Sequence, residues 1–248
     1  MSIFSRFRAI PENDKAAVVR KLMESSTPDF DFFYLVGLSV LMATFGLLVD
    51  SIAIVIGSML IAPILYPILG VALGIVMSNY SVFKRSIVTL LKSFGVGLCL
   101  SFLATLLFVE SDITASFEIM NRTEVGLLHF LIAVIAGAAV AFTLGKSEWS
   151  ETLPGIAISV ALIPPLAVIG IGVAALNPDV IAGSLVMLIV NIIGIIFAAM
   201  VTFSLMNLYE KQNIAVSTIK RENDRVTEEA TAIEKLDKEL QSDEKVAE

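Results

Sequence analysis

Read for hydropathy alone, the chain alternates long apolar runs with short polar breaks. The runs fall at 32–49, 52–78, 86–109, 125–144, 153–176 and 180–208. About 20 residues rising 1.5 Å each cross a hydrocarbon core of roughly 30 Å, so each run suits one helical crossing. The pattern predicts an all-α integral membrane protein with about six transmembrane helices. The connections differ in kind. Asp50-Ser51 and Asn177-Pro178-Asp179 read as tight turns, 79–85 is short and basic, and 110–124 is longer and acidic. The KSEWSE segment at 146–151 carries the only tryptophan, Trp149, in a place where an indole suits a membrane edge.

The same pattern divides the chain. Residues 1–30 form a polar lead-in, 31–109 a first unit of three spans, 110–124 an external acidic loop, 125–208 a second unit of three spans, and 209–248 a charged tail. Within the lead-in, Ala16, Val19, Leu22 and Met23 stand at helical spacing. They predict a short amphipathic helix at the membrane interface, with a solvated lead-in as the alternative. In the tail, Val216, Ile219, Val226, Ala230, Ile233 and Leu240 alternate by three and four, with Asn223 and Asp237 at the remaining seam positions. Two seam residues per heptad suit a short coiled coil between protomers, and a lone helix fits the same residues.

Composition and charge sharpen this picture. Hydrophobic residues make up 56% of 248, and the mean hydropathy is +0.86. A soluble domain so composed would leave apolar faces in water. Of the seventeen lysines and arginines, a six-span chain with a cytoplasmic N-terminus leaves only Arg122 outside. The positive-inside bias therefore places both termini in the cytoplasm of a multi-pass cell (inner) membrane protein. Lys92, one to two turns into the third run, can snorkel back to that side. The N-terminal segment lacks an apolar core followed by a small-residue cleavage site, so the first span is expected to start insertion.

Familiar chemistry is scarce. One cysteine (Cys99) and one histidine (His129) leave no thiolate cluster and no two-histidine zinc site. There is no HExxH, no phosphate-binding glycine loop and no Ser-His pair with a third partner. No catalytic residue, metal or cofactor is expected, and no basic cluster suggests nucleic acid. The expected partners are the bilayer, a small ion or solute, and further copies of the chain.

The second and fifth runs carry the most information. Pro63 and Pro67 interrupt the second, and Pro164 and Pro165 the fifth. A proline removes a donor and crowds the carbonyl four residues earlier, which lipid tolerates only where protein or water covers the break. Setting Pro63 on Pro164 also sets Ser58 on Ser159. The chain thus reads as two three-span repeats of inverted topology with proline-broken second and fifth spans. In secondary transporters such paired breaks build a midplane site. Candidate ion- or solute-binding residues are Asp50, Ser58, Ala62, Pro63, Pro67, Ser159, Ile163, Pro164 and Asn191. Plainer readings stand beside these. Proline kinks occur in helices that transport nothing, Ser58 and Ser159 can bond back to their own helices, and Asp50 can cap the helix it precedes. Asn191 suits a helix–helix hydrogen bond equally well. Ala133, Gly137, Ala141 and Gly145 form a small-residue packing stripe, and His129 reads as interfacial.

The run GLLVDSIAIVIGSMLIAPILYPILGVALG (Gly46 to Gly74) resembles the hallmark of the prokaryotic membrane proteins catalogued as domain of unknown function 389. Asp50, Ser51, Gly57, Ser58, Met59, Leu60, Pro63 and Pro67 match that pattern. The ALIPPLAVIGIG run (Ala161 to Gly172) and the span of Asn191 are similar to the family's second half. The resemblance covers roughly 30–208, implies a membrane location, and carries no activity with it. Function therefore rests on the residues. The expected function is a secondary carrier or uniporter of a small ion or polar solute. An oligomeric channel and a non-transporting scaffold or lipid-interacting protein are the alternatives, and an enzyme is not expected.

Overall fold

The computed structural model describes residues 11–108, 116–145 and 154–247, with side chains at 154–161, 237 and 239–247 left aside. The first part of the acidic loop (110–115), the KSEWSE segment with Trp149, the side chain of Ser159, and the side chains of the seam residues Asp237 and Leu240 lie outside these limits. Every regular element among the described residues is helical. They are α1 (Glu12–Ser25), α2 (Phe30–Leu48), α3 (Ile52–Met59), α4 (Leu65–Val76), α5 (Tyr80–Phe108), α6 (Phe117–Met120), α7 (Leu127–Leu144), α8 (Pro154–Ala174), α9 (Pro178–Leu205), a 3-10 turn (Leu208–Lys211) and α10 (Gln212–Ala247).

Four of these, α2, α5, α7 and α9, are long and apolar enough to cross a membrane. Their outward faces carry large exposed apolar residues such as Phe108, Leu128, Ile135 and Phe197, a surface suited to lipid and not to water. The connection expected at 79–85 is shorter than its polarity suggests. Asn79 caps α5 by accepting from Val82 N at 3.1 Å, so Lys84 and Arg85 already lie in the helix.

Three helix hairpins repeat one local design. In the first, Asp50 takes a positive φ of 53°, and Ser51 N donates to Gly46 O at 2.8 Å. Ser78 (φ 49°) and Leu176 (φ 52°) occupy the same place in the other two. There Asn79 N donates to Gly74 O and Asn177 N to Gly172 O, each at 2.9 Å. This is the Schellman arrangement, here with non-glycine residues in the left-handed position. The glycine sits one turn earlier because the next helix doubles back against it. A Cβ on Gly74 would stand 2.6 Å from Phe83 N, one on Gly46 3.0 Å from Val55 N, and one on Gly172 3.2 Å from Ile181 N.

The elements pack around α8, which touches α2, α3, α4, α5, α7 and α9. Its described side chains are buried on every side from Leu162 to Ile171, Gly170 included in the packing, as an all-apolar helix requires. The most intimate pair is α7 with α9. A Cβ on Gly137 would lie 2.8 Å from Ile195 Cα, and one on Gly194 2.8 Å from Ala133 Cβ. The expected small-residue stripe is thus a packing face that brings two backbones together.

At one end of the bundle, α1 docks on α4 and α10. Its apolar face (Val18, Val19, Leu22, Met23) is covered by protein. Arg85, at the start of α5, donates to Thr27 Oγ1 at 2.9 Å, Ile219 O at 3.1 Å and Asn223 Oδ1 at 2.6 Å. Lys211 pairs with Glu12 at 2.6 Å, Arg225 with Asp29 at 2.9 Å, and Arg221 with Glu24. Asp29 also caps α2 through Phe32 N. The lead-in, the α4–α5 turn and the tail therefore share one end. Of the tail's seam residues, Ile219 is buried against this body, while Val216 and Ile233 are exposed.

Candidate functional site

The second run divides as its prolines require. Helix α3 ends at Met59 and α4 begins at Leu65. Pro63 brings no N–H, so it cannot return a bond to the carbonyl four residues earlier. The backbone turns instead: Leu60 N donates to Gly57 O and Ile61 N to Ser58 O, each at 3.2 Å, and Tyr66 N donates to Pro63 O at 3.2 Å. Eight residues of α3 rise about 12 Å and twelve of α4 about 18 Å, so the break lies close to mid-depth of the hairpin.

Two hydroxyls serve this break. Ser58 Oγ donates to Val55 O at 2.6 Å, back into its own helix. Ser39 Oγ, from α2, donates to Ser58 O at 2.7 Å. Both serines are fully buried. Ala62, Ile64 and Pro67 are buried and Pro63 is half-buried. Ile163 belongs to the same apolar cluster as Ala62 and Ile64, on the helix that packs against α3 and α4.

The fifth apolar run corrects the expectation of a second break. Helix α8 runs through Pro164 and Pro165 without interruption. Buried neighbours on every side hold it in shape, which is the setting in which membrane helices accommodate proline. Beside it lies a second polar set that sequence reading missed. Thr44 Oγ1 lies 3.0 Å from Ser101 Oγ, and Ser101 Oγ donates to Ala167 O at 2.7 Å, so α2, α5 and α8 meet through two hydroxyls. A Cβ on Gly170 would lie 2.5 Å from Ser101 Cβ. The pairing of Ser101 with a glycine two apolar runs further along has no signature in the sequence.

The remaining candidates separate. Asn191 is buried midway along α9, which packs on α4 and α8. Asp50 belongs to the opposite end of the bundle from the tail. It does not cap α3, whose N-cap Ser51 makes no side-chain bond. Its carboxylate accepts instead from Ser116 Oγ at 2.7 Å and Glu118 N at 3.0 Å, capping α6. The Ser116 hydroxyl first, and then the Glu118 amide, hold its pKa below the ordinary aspartate value. Beside it Arg122 pairs with Glu118 at 2.6 Å. His129 Nδ1 accepts from Gly126 N at 3.1 Å in an exposed position at the start of α7. Among the described residues no three His, Cys, Asp or Glu come together as a metal site. Around the break, then, lie two neutral hydroxyls, those of Ser39 and Ser58, each donating to a backbone carbonyl.

Comparison with known proteins agrees with this architecture. The profile of the family described as domain of unknown function (DUF389) matches residues 59–197. An uncharacterized protein of Methanocaldococcus jannaschii is 32% identical over 168 residues, 67% of this chain and 51% of that protein. The chain thus spans about half the length of this curated relative. No solved structure matches. With more than half of its residues under the family profile, the chain belongs to the family described as domain of unknown function (DUF389).

Proposed function

We propose that the chain is a six-span carrier or uniporter of the cell (inner) membrane, moving a small ion or polar solute through the break in its second span. The break carries the reading. Non-helical backbone at mid-depth is kept in membrane proteins where it lines a cavity or meets protein, and here Ser39 and Ser58 bring hydroxyls to it. Six spans follow if α3 and α4 together cross once and α8 crosses once. The even count agrees with a lead-in and tail at the same end, which the lysines and arginines assign to the cytoplasm.

Inverted repeats gain support from the hairpins. Gly74, Ser78 and Asn79 do in the first unit what Gly172, Leu176 and Asn177 do in the second. In this register Pro67 falls on Pro165, Ser86 on Ser184, and Ser93 on Asn191. The register differs by three residues from one that pairs Pro63 with Pro164, and the longer path through the break absorbs the difference. The site in this reading lies between the break and the Pro164-Pro165 segment of α8, next to Asn191. Its neutral oxygens suit a solute that is polar without needing a proton partner.

A non-transporting scaffold is the second reading, favoured by the dryness of the same place: Ile64 and Ile163 are 1% and 0% exposed. Flux into sealed vesicles carrying the purified chain separates the two. The carrier reading expects uptake of at least one small cation, anion or neutral solute above that of empty vesicles, reduced by Ser58→Ala or Ser39→Ala. Uptake equal to empty vesicles across all three classes supports the scaffold.

A further inference from the structure

Of the four helices long and apolar enough to cross a membrane, only α5 carries lysine or arginine. It holds Lys84, Arg85 and Lys92, and their settings differ. Arg85 turns inward to Thr27, Ile219 and Asn223. Lys84 and Lys92 are exposed, and neither makes an ion pair or hydrogen bond among the described residues. They share one outward stripe with Val88, Gly95, Cys99 and Leu103, all exposed and spaced by four or three residues.

Eight residues separate the two lysines, about 12 Å along the axis. Arg85 is fastened where the lead-in and tail meet, so Lys84 stands at the membrane surface and Lys92 within the apolar stretch. An ammonium held in hydrocarbon is costly, and a lysine near a helix end relieves the cost by reaching back to the headgroups. Side chains lean toward the N-terminus of their helix, which in α5 is the Lys84 end. Lys92 therefore reaches toward the level of Val88, one turn from Lys84. Four acids at that end are already engaged: Glu12, Glu24, Asp29 and Glu222 pair with Lys15, Lys211, Arg221 and Arg225. Deeper along the stripe the surface is notched, since a Cβ on Gly95 would meet nothing within 4 Å.

We propose that this stripe binds one anionic phospholipid of the leaflet on the lead-in and tail side. Its phosphate sits between the ammonium groups of Lys84 and Lys92, and an acyl chain lies in the notch at Gly95. Diffuse attraction of anionic lipid to a basic surface needs no such geometry, and every exposed base at that end would share it, Lys220 of α10 included. A zwitterionic lipid offers the same phosphate with a cation beside it, so headgroup charge is what the two lysines select. Only the crossing of α5 is required. The site goes beyond the carrier reading and stands whether or not a solute moves.

Photocrosslinking tests it on the full chain in phosphatidylcholine vesicles. Trace phosphatidylglycerol and trace phosphatidylcholine, each with the same diazirine-bearing acyl chain, are compared, and labelling from Gly95 to Leu103 is read by mass spectrometry. Phosphatidylglycerol should label this segment several-fold more. Lys92→Gln should cut that preference about fivefold, the worth of one lysine near a membrane surface. Lys92→Arg and Lys220→Gln should keep it. The outward face of α9 around Ile193 should label equally with both lipids in every variant, which also reports a folded chain. A preference absent from the native chain, or lost equally in Lys220→Gln, overturns the proposal. So does a stripe that neither lipid labels, which would put protein against it. None of these outcomes bears on uptake in the flux assay, so the lipid site and the carrier reading fail separately.

Discussion

The second and fifth apolar runs begin from nearly the same residues and end as different objects. Each holds two prolines in its interior and, about two turns after the second of them, the glycine of a hairpin. Yet α3 and α4 are parted by a five-residue turn, while α8 stays helical through Pro164 and Pro165. The spacing differs: Pro63 and Pro67 stand four apart, Pro164 and Pro165 are adjacent. In the first case Pro67 withdraws the N–H that would have bonded Pro63 O, so two defects fall on one turn. In the second, the lost bonds go to two successive carbonyls of a helix packed on all sides. Proline content therefore marks where a membrane helix can open, and spacing with surroundings decides whether it does.

The largest expected effect tests the enclosure of α8. Gly170→Ala puts a Cβ 2.5 Å from Ser101 Cβ, and overpacking of this kind costs about 1–3 kcal/mol or displaces the helix. Thermal unfolding in detergent should show a clear fall, whereas Gly95→Ala, which meets nothing within 4 Å, should leave the midpoint in place. Next come the paired hairpins. Gly74→Ala drives a Cβ against the backbone of α5, and Gly172→Ala meets looser contacts on α9. Both should destabilise, the first more, within the same range of about 1–3 kcal/mol. Equal losses would say that the two hairpins are closer copies than their distances indicate.

A smaller effect sharpens the contrast between the breaks. Ser39→Ala removes the hydroxyl covering Ser58 O, a loss of about 0.6–1 kcal/mol for an interhelical bond in a membrane. It should lower stability slightly and raise hydrogen exchange around Leu60. The smallest effect lies at the shared end. Bonds from Lys15 and then Lys211 lower the Glu12 pKa from 4.5 to about 2. With a depressed folded-state value, whatever these bonds contribute is present above pH 4.5 and is lost as the pH falls toward 2. Protection of the α1 amides against exchange, taken relative to the unstructured rate at each pH, should fall down that range in the native chain, and less so in Glu12→Gln, which lacks the charge throughout.

Much of this architecture is written in hydropathy. The apolar runs at 125–144 and 153–176 become helices Leu127–Leu144 and Pro154–Ala174, because twenty apolar residues in a row have few other solutions. The start of α5 at Tyr80 was hidden by Ser81, Lys84 and Arg85, whose polarity reads as a loop and whose real setting is a helix end bonded to the tail. The site was half visible. Pro63, Pro67 and Ser58 announce a break through their own chemistry. Ser39, Thr44 and Ser101 do not, because serine and threonine in a membrane helix most often bond the preceding turn, as Ser93 and Thr105 do here. Asp50 misled for a related reason: its partner α6 is more than sixty residues away, and nothing local distinguishes a residue that caps a distant helix from one that caps its own.

Accessibility of the break to water tests the central claim most directly. In the Cys99→Ala chain, single cysteines at Ala62 and Ile163 are exposed to a small charged thiol reagent from each side of sealed vesicles. Both positions are buried, so labelling requires the break to open toward water, as a carrier demands. The account predicts labelling at both, with the side of access changing when solute is supplied. No labelling at either, while a cysteine at exposed Ser81 reacts, would contradict it and leave the scaffold reading in its place.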